Sequence, residues 1–391
     1  MIAEAVRDVV GPEAVTPFRL HVPQAEIDRL HRKLDDTRWP DDGPVGDWSQ
    51  GVPRPSLQRL CAYWRHEYDW RRCENWLNAV GQFQTEIDGL AIHFLHVRSP
   101  SPTARPLLLT HGWPGSVLEF RHVIGPLTDP ATHGGDPDDA FHLVIPSLPG
   151  FGFSASPAVE GWDLGRIAEA WAVLMNRLGY NRWFAQGGDW GSVITRMMGE
   201  RSLGGCIGVH MNMAFAQPRP EDMDSLTPAE QAFLAQAAHY DQQESAYARL
   251  QSTRPQTLGY ALTDSPVGQA AWIYEKLRSW TDNDGEPEDA LAIDEILDNI
   301  MLYWLPARAA SSARLYWEGF SQAFALPTGE GVPTGISIYP RDILRTSRRL
   351  YEGVGVKVAF WREHTRGGHF AAWEEPDLFV ADMRDCFGAL R

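Results

Sequence analysis

The sequence predicts an α/β protein: a mostly parallel, doubly wound sheet interrupted by a helical insert. Two observations lead there. Six short apolar runs lie in "PLLLTHGWPGS" (106–116), "FHLVIPSLPGFG" (141–152), "RWFAQGGDWGS" (182–192), "CIGVHMNMAF" (206–215), "GISIYPRD" (335–342) and "VKVAFWREHTRGGHF" (356–370). Each ends in glycine, proline or polar punctuation, and helical segments such as 163–179 separate the early ones. Strands alternating with helices pair in parallel, and such sheets bind ligands outside the carboxyl ends of their strands. The alternation stops between 216 and about 330, where the pattern is mostly helical, which predicts a lid inserted into the sheet domain.

Before the first of these runs the pattern differs. The opening "MIAEAVRDVVGPEAVTPF" is acidic and broken by Gly11 and Pro12, so it fits neither a signal peptide nor a membrane span, and a cytoplasmic chain is expected. Residues 18–35 start extended, pass Pro23 and continue with Ile27, Leu30 and Leu34 at helical spacing. A stretch rich in Pro, Gly and Trp follows at 39–56, then a helical rhythm over 57–80 that stops near Gly81. Two alternating runs about Asp88-Gly89, within 83–99, predict a hairpin. The expected units are 1–95 (N-terminal segment and hairpin), 96–215 (first part of the core), 216–330 (lid) and 331–391 (the rest of the core).

Charge and composition narrow the partners. A net charge of −16, from 51 acidic and 35 basic residues, repels nucleic acid and anionic membrane, and an uncharged substrate fits better. Four cysteines (Cys61, Cys73, Cys206 and Cys386) have no metal-ligand spacing and are expected to be reduced and buried. No cofactor or metal is expected. Oligomeric state is not legible, and a homodimer stays open.

The chemistry concentrates at "GGDWGS" (187–192). A strand, a small-x-nucleophile-x-small turn and a helix form a nucleophile elbow, here with Asp189 at its tip and Ser192 outside it. "HGWPGS" follows the preceding strand where such sheets keep an oxyanion loop, which makes the backbone N–H groups of Trp113 and Trp190 the expected oxyanion donors. His369, in "RGGHF" after the last strand, is the candidate base. Asp342, after "GISIYPR", is the candidate acid behind it, with Glu363 and Glu374 as rivals.

Together these stretches resemble the α/β-hydrolase epoxide hydrolases of the microsomal type. The resemblance is carried by "HGWPGS", "GGDWGS", "TDSPVGQAAWIYEKLRSW" (263–280), "NIMLYW" (299–304), "RGGHFAAWEEPDLF" (367–379) and the N-terminal "PFRLHVPQAEIDRLHRKLDDTRWPD" (17–41), and so covers nearly the whole chain. It implies an α/β-hydrolase fold with an N-terminal meander, in a soluble form without the hydrophobic anchor of the membrane members. It further implies two lid tyrosines facing the pocket. Tyr316, in "SSARLYWEGF", and Tyr247, in "ESAYARLQSTRP", are chosen, with Tyr240, Tyr260 and Tyr303 nearby.

An aspartate nucleophile suits saturated carbon. Aspartates ordinarily titrate near 3.9 and need no base to become nucleophilic. Alkylating a carboxylate gives an ester that water can open at its carbonyl, whereas an alkylated serine would be an inert ether. The expected substrate is a small apolar or aromatic epoxide, with water as second reactant. Lid aromatics including Trp272, Trp280 and Trp304 suggest an apolar pocket. A haloalkane dehalogenase, with the Trp190 indole near halide, is the alternative reaction, and a non-catalytic receptor on the same fold the alternative class.

Overall fold

A computed structural model describes residues 3–5, 11, 13–325, 327 and 331–390. Residues 1–2, 6–10 and 12 of the acidic opening stretch, and residues 328–330 at the end of the expected lid, lie outside the described residues. Ten strands form one sheet: β1 Ala3–Ala5, β2 Thr16–Leu20, β3 Gln82–Ile87, β4 Leu90–Val97, β5 Arg105–Thr110, β6 Phe141–Pro146, β7 Trp183–Gly187, β8 Cys206–Met211, β9 Thr334–Ile338 and β10 Val358–Glu363. Their order is β1-β2-β3-β4-β6-β5-β7-β8-β9-β10.

The sheet has two halves. From β6 through β10 every neighbour is parallel, while β1 to β4 run antiparallel and join through the β4–β6 pair. The hairpin forms because Asp88 (φ 49°) and Gly89 (φ 75°) both take positive φ, so that Ile87 pairs with Leu90 across a two-residue turn. The helical rhythm over 57–80 divides into two helices, Arg54–His66 and Trp70–Val80, because Asp69 accepts from the Arg71 N–H and starts a second helix. Gly81 in the left-handed region ends it. Helix Gln24–Asp35 buries Ile27, Leu30 and Leu34.

After β5 the chain places β6 on one side and, after helix Leu164–Arg177, β7 on the other. This reversal opens a crevice at the carboxyl ends of β5 and β7, where Thr110 and Gly187 lie in register. Between β8 and β9 run helices Pro228–His239, Ala246–Thr253, Pro255–Asp264, Pro266–Trp280, Ile293–Trp304 and Ala309–Ala323. All four cysteines are buried and free. Among the described residues no helix is long and apolar enough to cross a membrane.

Candidate active site

The elbow is built by close packing. Helix Trp190–Glu200 starts one residue after Asp189 and presses so near β5 that a Cβ at Gly191 would stand 2.0 Å from the Thr110 carbonyl oxygen. Only glycine fits there. Asp189 itself has φ 51° and ψ −129°, a region L-residues enter at a cost on the order of 1–3 kcal/mol. The cost is met by the surrounding packing, and the carboxylate is thereby held at the crevice rather than folded back as a helix cap. Ser192 turns away and donates its hydroxyl to the Asp189 carbonyl at 2.8 Å.

Each carboxylate oxygen of Asp189 has its own partner. Oδ1 accepts the Trp113 backbone N–H at 2.9 Å, and Oδ2 lies 3.3 Å from His369 Nε2. The Trp190 N–H belongs to the first turn of its helix, where backbone donors are left over by the helical ladder. His369 Nδ1 meets Asp342 Oδ1 at 2.8 Å, and that oxygen also accepts the Ile343 N–H at 2.8 Å. The predicted nucleophile, base and acid are thus contiguous and buried.

The rivals of Asp342 stand elsewhere. Glu363 accepts from the Trp361 indole. Glu374 accepts the Phe370 N–H at 2.9 Å and the Asp282 N–H at 2.7 Å, tying the loop of His369 to the lid. The His369 N–H also reaches the lid, donating to the Trp280 carbonyl at 2.8 Å.

Electrostatics distinguish the members of the site. Burial alone would lower the His369 imidazole, but its hydrogen bonds to Asp189 and Asp342 and their charges outweigh burial and raise it to about 10. Burial raises Asp342, against the pull of His369. Burial first, and then neighbouring phenols and the Asp189 charge, put Tyr247 and Tyr316 well above the ordinary phenol range.

Both chosen tyrosines face the crevice. The Tyr316 ring stands edge-on to Trp190 (4.6 Å between centroids) and to Trp113 (5.9 Å), while Tyr247 stacks on Trp113 at 5.0 Å. Tyr240 is joined to the pair, its hydroxyl 2.7 Å from that of Tyr247. Tyr303 instead donates to the Gly115 carbonyl, and Tyr260 is 73% exposed.

A cavity of about 300 Å³ opens on Asp189, Tyr247 and Tyr316 and is walled by Met213, Phe215, Phe320 and Phe324. These apolar wall residues carry no sequence motif, and the loop after β8 and the end of the last lid helix bring them together only in the fold. Of the lid tryptophans, Trp280 packs against His369 at 5.1 Å and the Trp272 indole is engaged with Gln251; Trp272, Trp280 and Trp304 are not among the cavity-lining residues.

Comparison with known proteins identifies the family. Residues 15–120 match the family model "Epoxide hydrolase N terminus", and residues 105–305 match "alpha/beta hydrolase fold". A Stigmatella aurantiaca (strain DW4/3-1) protein provisionally named an epoxide hydrolase is 53% identical, over 96% of this chain and 86% of its own. Epoxide hydrolase 1 of Sus scrofa is 35% identical over 97% of this chain and 89% of its own. The solved epoxide hydrolase of Aspergillus niger, at 32% identity, superposes with a TM-score of 0.86 over 98% of this chain and 97% of that one. On these likenesses and on its fold, the chain belongs to the epoxide hydrolase family of α/β-hydrolase enzymes.

Proposed function

We propose that the protein hydrolyses a small apolar or aromatic epoxide to a vicinal diol through an ester on Asp189. The observation that carries this reading is the division of labour on one carboxylate: Oδ1 in the grip of the Trp113 N–H, Oδ2 beside His369, and both at the wall of an apolar cavity faced by two phenols. Oδ2 attacks a ring carbon and the ring C–O bond breaks. Tyr316, with Tyr247, gives the departing oxygen its proton. An alkoxide whose conjugate acid is about as weak as water (about 15.7) draws a proton from a phenol near 10. Burial trims that difference and keeps both phenols protonated at neutral pH.

Ester formation then switches the base on. In the free enzyme two carboxylates hold His369 as imidazolium; alkylation removes the charge of Asp189 and with it part of what raised the imidazole. Burial then acts in the opposite direction: His369 gives its Nε2 proton to solvent, regaining it once the Asp189 carboxylate is restored, and the neutral imidazole, oriented by Asp342, accepts a proton from water. Water oxygen adds to the Asp189 carboxyl carbon, with negative charge gathering on Oδ1 beside the Trp113 N–H and the first-turn N–H of Trp190. The bond to Oδ2 breaks, Oδ2 leaves as the second hydroxyl of the diol with the proton from His369, and the remaining proton on Asp189 returns to the phenolate.

The paired phenols favour an epoxide over an alkyl halide, since a departing halide needs no proton. A single turnover in ¹⁸O water tests the route: label is expected in the carboxylate of Asp189 and not in the first diol released. Label appearing directly in that diol overturns it. Tyr316→Phe is expected to slow the alkylation step.

A further inference from the structure

One acidic group beside the reaction centre has no part in the chemistry above. Glu119 lies in the short turn Val117–Phe120 that follows the Trp113 loop. That turn packs against the helical turn Ala371–Glu374, which directly follows His369, and against lid helix Ile293–Trp304. A Cβ at Gly115 would stand 1.2 Å from Glu119 Oε1, so the glycine in "HGWPGS" leaves the room that this carboxyl fills. Oε1 is buried and has no hydrogen-bond partner among the described residues.

The hydrogen-bonding groups arriving from the lid helix are directed at the backbone beside Glu119. Asn299 donates to the Pro114 carbonyl at 2.8 Å and Tyr303 to the Gly115 carbonyl at 2.6 Å, so these lid-helix groups are directed at backbone carbonyls of the loop. Asn299 Oδ1, like Glu119 Oε1, is buried without a partner among the described residues. Bare acceptors of this kind cost on the order of 1–3 kcal/mol each unless a donor reaches them. A water molecule is the ordinary donor to such an acceptor, and it keeps a second hydrogen for another partner. The charges of both His369 and Asp189 act on Glu119, while burial, the largest influence, raises it to about 8. In either protonation state one oxygen remains to accept.

We propose that Glu119 is a positioning residue for the hydrolytic half-reaction, holding through Oε1 the water that His369 deprotonates. This inference rests on the ester route proposed above. One hydrogen of the water points to Glu119 Oε1 and stays in place. The other is transferred to His369 Nε2 as the water oxygen bonds to the carboxyl carbon of Asp189 and the ester bond to Oδ2 breaks. Ring opening needs no water, so Glu119 leaves alkylation untouched.

Rapid-mixing kinetics with styrene oxide, following enzyme alkylation and ester breakdown separately by quenched intact mass, test this. Glu119→Ala is expected to leave alkylation within about twofold and slow ester breakdown about 10²-fold, the loss typical of a misplaced reactant. Glu119→Gln, which keeps an accepting oxygen, restores most of that rate. Should the alanine variant fold poorly, Glu119→Asp, which withdraws the oxygen by one methylene, is expected to show the same split. Equal slowing of both steps makes Glu119 a structural cap of its turn and overturns the proposal, as does wild-type ester breakdown in the variants. Absence of an alkyl-enzyme in both wild type and His369→Gln is a different outcome: it overturns the ester route and Glu119's role with it.

Discussion

His93 and His369 are both buried histidines that use both ring nitrogens, yet they stand in opposite electrical states. On β4, in the antiparallel half of the sheet, His93 meets Ser147 Oγ at 2.9 Å and Gln82 Oε1 at 3.0 Å, both neutral. Burial lowers it to about 3. At the crevice of the parallel half, His369 meets two carboxylates and is raised to about 10. Burial is shared, so the charge of the partners decides which histidine is a fixed polar strut and which can carry a proton. Of these two, the histidine read as structural has neutral partners and the proposed base has charged ones.

The largest test of this contrast is His369→Gln. Turnover should fall by about 10⁴-fold or more while an enzyme-plus-substrate mass accumulates. Prompt multiple turnover would remove His369 from its role. Next, Asp342→Asn keeps the shape of the pair and removes its charge; ester breakdown should slow by about 10²- to 10⁴-fold, and an unchanged rate would break the link between partner charge and function.

The smallest effect is expected at His93. His93→Leu strands Ser147 and Gln82 and should cost about 1–3 kcal/mol, read from denaturant unfolding, with ester breakdown unchanged. The pH dependence has a definite sign. A histidine lowered by folding takes up its proton more readily when unfolded, so stability declines as pH falls from about 6.5 towards about 3, by about 1.4 kcal/mol per unit. The leucine variant should flatten that slope by about one proton. An unaltered slope would mean that His93 is already charged in the fold.

Legibility in the sequence followed the range of the interactions involved. Asp88-Gly89 announced its hairpin because two positive φ values are a local demand that few residue pairs meet. Gly187 to Gly191 announced the elbow for a similar reason, since the approach to Thr110 excludes every side chain. His369 and Asp342 could be placed after their strands, but nothing local says that their side chains meet at 2.8 Å. Least legible was what depends on distant segments: the cavity wall of Met213, Phe215, Phe320 and Phe324, the pairing of β4 with β6, and Glu119, whose carboxyl matters because of a glycine four residues earlier and a helix 180 residues away.

The stitches between the His369 loop and the end of helix Pro266–Trp280 have a mechanical meaning. The His369 N–H reaches Trp280, Glu374 grips Asp282, and Asp282 Oδ2 takes the Gly367 N–H at 2.9 Å. At this end the insert cannot lift like a hinged cover without dislodging the imidazole. Phe324, on the cavity wall, is 43% exposed to solvent.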